Sequence, residues 1–180
     1  AEVIAYSWGW LPDWDEEIVS RLPPGVKLLM VSESFLETDC CGGIKGEVID
    51  YSISKPGPGP AFTRLAAQAR KAGVPVIAKV QLNNTWENSA VPYIPVPGLV
   101  EEHLNNLRTL GVRDFMVTWT LGGYPGGNIP LLDKSKEVLA AEKYGSAASE
   151  ILRACSFFDK GFRYFPFHYT AQIYLAPQNY

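Results

Sequence analysis

Long apolar stretches are missing from this sequence. No run approaches the roughly 18 to 20 residues that a membrane-spanning helix needs, so no membrane partner is expected. Cysteine is scarce: of the three, Cys40 and Cys41 are neighbours, a poor geometry for bridging each other, and Cys155 is distant. That leaves no complete disulfide framework. The two histidines, His103 and His168, stand far from each other and from the cysteine pair, and fit none of the usual zinc spacings. Neither a metal nor another cofactor is expected. Basic charge is also lacking, with 16 Lys and Arg against 19 Asp and Glu and the cations scattered, so nothing favours a nucleic-acid backbone. Gly122, Gly123, Gly126 and Gly127 match neither a Walker loop nor a dinucleotide fingerprint and read as a flexible turn.

What is present is a strand and helix alternation. Val76 to Val80 is a short β-prone run that ends in Gln81, Asn83, Asn84, Trp86 and Glu87. Pro97 to Leu110 follows with Leu99, Val100, Leu104, Leu107 and Leu110 at helical spacing, Pro97 suiting the first turn and Gly111 the stop. Phe115 to Val117 then gives a second strand, ending in Thr118, Trp119, Thr120 and Tyr124. In βα repeats of this kind, chemistry sits at the carboxyl ends of parallel strands.

The same grammar extends to both sides. Val3 to Tyr6 predicts a strand with Trp8 and Trp10 at its tip, and Asp13, Asp15 and Glu16 predict a capped helix start, Asp13 and Glu16 standing at capping-box spacing. Trp14, in that first turn, reads as packing. Val26 to Val31 is the next buried strand and delivers Glu33 to its end; the segment from Glu37 to Gly46 reads as a polar, glycine-rich excursion. A further strand is expected near 47–53, before the PGPGP turn at 56–60, and Phe62 to Ala72 forms a helix stopped by Gly73. Two more helices are expected, from about 134 to 144 and from about 146 to 162, the second turning Ile151, Leu152, Cys155 and Phe158 inward. The aromatic tail must pack on something. At 180 residues and 47% hydrophobic composition the chain makes one α/β domain. Its four strand-helix units fall short of the roughly 250 residues of a complete barrel. The reading is therefore a single half-barrel over 1–180, with one extra strand, an excerpt of a larger barrel. The alternative is an open sheet with a central first strand and helices on both faces.

At YSWGW (6–10), LLMVSE (28–33), DYSISKPGPG (50–59), AKVQLNNTWENSAVPYIPV (78–96) and TWTLGGYP (118–125), the chain resembles bacterial glycoside-hydrolase-like TIM-barrel proteins, the broad group that includes the family 20 hexosaminidases. The resemblance implies strands five to eight of a TIM-type (β/α)₈ barrel and a carbohydrate ligand. The group's adjacent Asp-Glu catalytic pair has no counterpart: Asp15-Glu16 is the one adjacent Asp-Glu here and belongs to a helix start.

Candidate site residues follow from the strand ends. Glu33 and Glu87 are the two carboxylates placed to flank a glycosidic bond, separated by roughly 5 to 5.5 Å for retention or 6.5 to 9.5 Å for inversion. Their competing roles are to accept hydrogen bonds from loop amides, for Glu33, and to cap a turn, for Glu87. Trp8, Trp10, Trp86, Trp119 and Tyr124 offer faces for a pyranose to stack on, and Gln81, Asn83 and Asn84 offer amides to its hydroxyls or, alternatively, loop caps. His103 is expected on the solvated side of its helix. The second functional class is a non-catalytic sugar-binding or structural half-barrel. Exposed parallel edges would then drive it to pair as a homodimer, or with a partner that supplies the missing half.

Overall fold

The apolar runs become strands where the sequence places them. In the computed structural model, which describes residues 1–39, 41–88, 91–117 and 126–168, β1 is Val3–Tyr6, β2 is Val26–Val31, and a hairpin of β3 (Leu36–Asp39) and β4 (Lys45–Val48) follows. Then come β5 (Val76–Val80) and β6 (Asp114–Val117). β1, β2, β5 and β6 form one four-stranded parallel sheet in that order, with Tyr6 beside Leu29, Val31 beside Lys79 and Lys79 beside Met116. Sequential parallel order means that each strand neighbours the next through one crossover, with no reversal. Among the described residues β1 lies at an edge and not at the centre, unlike the open sheet with a central first strand.

The helices α1 (Pro12–Ser20), α2 (Pro60–Ala72) and α3 (Pro97–Thr109) fill the crossovers. Their apolar stripes meet one face of the sheet. Val19, Phe62, Leu65, Ala69, Leu99, Val100, Leu104 and Leu107 form one buried cluster with Leu28, Met30, Ala78 and Val80. Because side chains alternate along a strand, Tyr6, Leu29, Val31, Ile77, Lys79 and Met116 belong to the opposite face. Lys27 closes the amino end of that face by bonding Glu2 at 2.8 Å and Asp114 at 3.2 Å.

Local chemistry departs from the sequence reading at several points. Proline takes the first position of α1, which makes Leu11 the cap residue; Asp13 makes no capping bond, and the buried Asp15 instead pairs with Arg64 of α2 at 2.5 Å. Trp14 is exposed. The strand expected near 47–53 ends at Val48, and the polar excursion before it is the β3–β4 hairpin, register Glu37 to Glu47.

Beyond Tyr124 the chain forms α4 (Lys136–Tyr144) and α5 (Ala148–Arg163). On α5, Ile151, Leu152 and Cys155 turn partly inward as expected, but Phe158 is exposed. The next residue explains the roll: the Asp159 carboxylate accepts from the Gly98 and Leu99 amides at 3.2 and 3.1 Å, so α5 supplies the first turn of α3 with the cap its own sequence lacks. Asp159→Ala should cost about 1 kcal/mol of stability in urea denaturation.

Candidate functional site

Trp8, two residues beyond the end of β1, is 62% exposed, and its indole N–H donates to Asp50 Oδ1 at 2.7 Å. The bond fixes an indole that solvent alone would leave free to rotate. The two side chains share a cleft of about 430 Å³ at the carboxyl ends of β1 and β2 with Trp10, Ser34 and Phe35, floored by Met30 and Phe62. Phe35 holds φ at +62°, a strained value for a bulky side chain. Its backbone is held there by Phe35 N–H to the Val48 carbonyl, 2.7 Å, and Leu36 N–H to the Glu33 carbonyl, 2.9 Å. Strain of this kind gathers at ligand sites.

The segment that carries Asp50 is laid across the strand ends rather than added to the sheet, which is why the expected strand stops short. Tyr51 Oη meets Tyr6 Oη at 3.1 Å. The Ser52 hydroxyl, the Ser54 amide and the Ser54 hydroxyl all donate to Glu87 Oε1, at 2.5, 3.1 and 2.8 Å. Asn106 of α3 donates to the Gly57 carbonyl at 2.9 Å, and the Gly59 amide donates to the Ser32 carbonyl at 2.8 Å. One stretch, residues 50–59, thus ties together β1, β2, the turn after β5 and α3.

Glu33 and Glu87 are brought together by this segment, but inside the protein. Glu33 has no exposed surface. Its Oε2 accepts from the Ser32 hydroxyl at 2.7 Å, and Oε1 lies 3.8 Å from Nδ1 of His103. Burial pushes the Glu33 carboxyl up to about 8, against the pull of the Ser32 hydroxyl and nearby backbone amides and with the help of Glu87. Burial also raises Glu87, opposed by the three bonds from Ser52 and Ser54. His103, expected in solvent, is 4% exposed, and burial lowers it to about 4. Both members of the Glu33 and His103 pair are neutral near pH 7.

The amides divide by role. Asn83 is a loop anchor: its Oδ1 accepts from the Asn128 amide at 2.8 Å, and Asn128 Nδ2 in turn donates to the Leu82 and Ile94 carbonyls at 2.7 and 3.0 Å. Gln81 and Asn84 are buried, and among the described residues their side-chain amide atoms have no hydrogen-bond partner; the same holds for Glu87 Oε2. Trp86 is half-buried in the 3₁₀ turn Trp86–Asn88 and does not line the cleft with Trp8 and Trp10. Trp119 and Tyr124 lie outside the described residues.

Sequence reasoning missed Asp50 and Lys79. Asp50 meets Trp8 across 42 residues, a pairing that no local pattern announces. Lys79 sits in the middle of an apolar strand, where a cation was the signal to follow. Among the described residues there is no group of three side chains able to hold a metal ion, and Cys155 is a free thiol. Comparison with family models, with curated proteins and with solved structures gives no match to this chain.

Proposed function

We propose that the chain is a carbohydrate-active α/β domain that binds a glycan at the carboxyl ends of its parallel strands, with a pyranose ring stacked on Trp8 and its hydroxyls donating to Asp50. One observation carries the reading: an exposed indole held by a carboxylate, in an aromatic cleft large enough for a sugar residue. Trp10 and Ser34 complete the cleft. The sequential strand order supports the finer reading that this is a segment of a TIM-type barrel, since barrel strands follow one another in the same way. Among the described residues β1 and β6 each pair on one side only, which supports association of two copies, or of a partner, along those edges. Light scattering that gives a monomer at every concentration would remove that part.

Binding is favoured over hydrolysis by Glu33 and Glu87 acting as a pair. Both are buried, and Ser52 bridges them, its hydroxyl on Glu87 and its amide acting on Glu33, so no glycosidic bond lies between them. The hydrolytic reading keeps one supporting feature. Glu87 has a raised pKa and an Oε2 without a hydrogen-bond partner among the described residues, the state that a general acid needs.

A titration with a panel of aryl glycosides, following tryptophan fluorescence and released phenol together, tests both readings. Quenching without phenol release is expected, and Trp8→Ala should weaken binding roughly tenfold, the equivalent of about 1.4 kcal/mol of stacking. Trp8 is exposed enough for its removal to leave the fold intact. Quenching that Trp8→Ala leaves unchanged would place the ligand elsewhere, and phenol release abolished by Glu87→Gln would establish hydrolysis.

A further inference from the structure

Lys79 lies in β5 on the sheet face turned away from the helices. β5 and β1 are separated by β2, roughly 10 Å at ordinary strand spacing, and the lysine side chain crosses that interval. Its Nζ lies 3.4 Å from Tyr6 Oη, 4.7 Å from the centre of the Tyr6 ring and 5.7 Å from that of Tyr51. The two phenols bond each other at 3.1 Å. Lys79 is 8% exposed, whereas its neighbour on β6, Met116, is 38% exposed, so the face opens to solvent beside the amine. The amine is thus held at a fixed place on this face, against two aromatic rings and within reach of a phenol hydroxyl.

We propose that Lys79 is a carbonyl-reactive amine, which forms an imine with a small aldehyde or ketone bound on this face, with Tyr6 as the proton donor. The Nζ lone pair adds to the carbonyl carbon, and one nitrogen proton moves to the oxygen to give a carbinolamine. The C–O bond then breaks as the C=N bond forms, and the Tyr6 phenol protonates the departing hydroxyl, which leaves as water. The second nitrogen proton restores the phenol. Aldehyde and amine thus give imine and water, with no oxidant or reductant. Burial lowers the Lys79 pKa, against the opposing field of Asp50, and so enlarges the fraction of reactive free amine. Burial also raises Tyr6, keeping its proton in place to be donated. This activity does not depend on glycan binding in the Trp8 cleft.

The test is to incubate the full chain with glycolaldehyde near pH 7, reduce with borohydride and map the adducts by mass spectrometry. An ordinary lysine is free amine in only about 1 molecule in 2,500 at that pH, and each unit by which the pKa falls raises this tenfold. Because burial lowers its pKa, Lys79 should therefore be modified faster than the exposed Lys71 and Lys143. In Tyr6→Phe the Lys79 rate should fall tenfold or more, with Lys143 unchanged. Labelling in order of exposure, with Lys79 last or unmodified, would overturn the proposal, as would an unchanged Lys79 rate in Tyr6→Phe. The wild-type map decides the matter even if Tyr6→Phe fails to fold.

Discussion

Glu33→Gln should make the protein more stable above about pH 6.5 and remove Glu33's share, about 2 kcal/mol, of the fall in stability that the wild type shows between there and about pH 8. The sign follows from which state holds the proton. Folded Glu33 titrates at about 8, whereas in the unfolded chain a glutamate titrates near 4.3. Its stabilising contribution is complete below the unfolded value and is lost as pH rises through the folded one. His103 works the other way. Folded, it titrates at about 4 against about 6.5 unfolded, so its contribution is present above 6.5 and fades as pH falls. Between about 4.3 and 6.5 the two slopes, each about 1.4 kcal/mol per pH unit, cancel. Above 6.5 only the glutamate slope is left, reinforced by Glu87, whose pKa is raised by the same burial. Glutamine carries no charge at any of these pH values; its carbonyl can take the Ser32 hydroxyl and its amide can face the neutral imidazole. Urea denaturation from pH 5 to 9 checks this. Curves for the two proteins that stay parallel from pH 6.5 to 8 would show that Glu33 is ionised in the folded state.

That pair also marks where the sequence was readable and where it was not. The strands at 3–6, 26–31 and 76–80 were legible because a buried parallel sheet demands continuous apolar runs, and α2 and α3 because their apolar residues repeat with the helix. His103 was misplaced although the same rule contained it: position 103 lies four residues from both Leu99 and Leu107, on the buried stripe. Its polarity argued for solvent, and only the tertiary partner, a glutamate 70 residues earlier, makes a buried imidazole tolerable. The hairpin was hidden for a different reason. LETD and KGEV carry almost no apolar alternation, so nothing local sets them apart from a loop. At the candidate site, Trp8 and Trp10 were visible as indoles at a strand tip. Asp50 was not, since it acquires its role only when residues 50–59 cross the strand ends. Glu33 and Glu87 were legible as carboxylates at strand ends, and Glu87 acts on the Glu33 carboxyl. Their burial could not be read, because it depends on Ser52 and Ser54 of the crossing segment and on His103 of α3, two other parts of the chain.

Gly59 tests how tightly that crossing segment is held. Its backbone is in the extended region, at φ −74° and ψ 166°, which any residue adopts, so conformation does not require glycine there. Space does. A Cβ at Gly59 would lie 2.2 Å from the Ser34 carbonyl oxygen and 2.6 Å from that of Glu33, both backbone atoms. Neither can rotate away. The glycine is pinned from both directions, its amide on the Ser32 carbonyl and its own carbonyl accepting from the Thr63 amide and hydroxyl at the start of α2. Gly59→Ala should therefore cost about 3 kcal/mol, the upper end of ordinary overpacking, by forcing the segment off the end of β2. Gly73→Ala is the matched control, because there the reasons are reversed: φ is +69° and, among the described residues, nothing lies within 4 Å of the new methyl group. Its cost should be about 1 kcal/mol, set by backbone conformation alone. The difference between the two should reach function as well. Asp50, at one end of the crossing segment, and Ser34, whose carbonyl faces Gly59 at the other end, both line the cleft, so Gly59→Ala should lose the glycoside-induced change in tryptophan fluorescence, while Gly73→Ala retains it. Equal stability costs for the two substitutions, measured by urea denaturation, would mean that residues 50–59 give way without resistance and do not hold the cleft in shape.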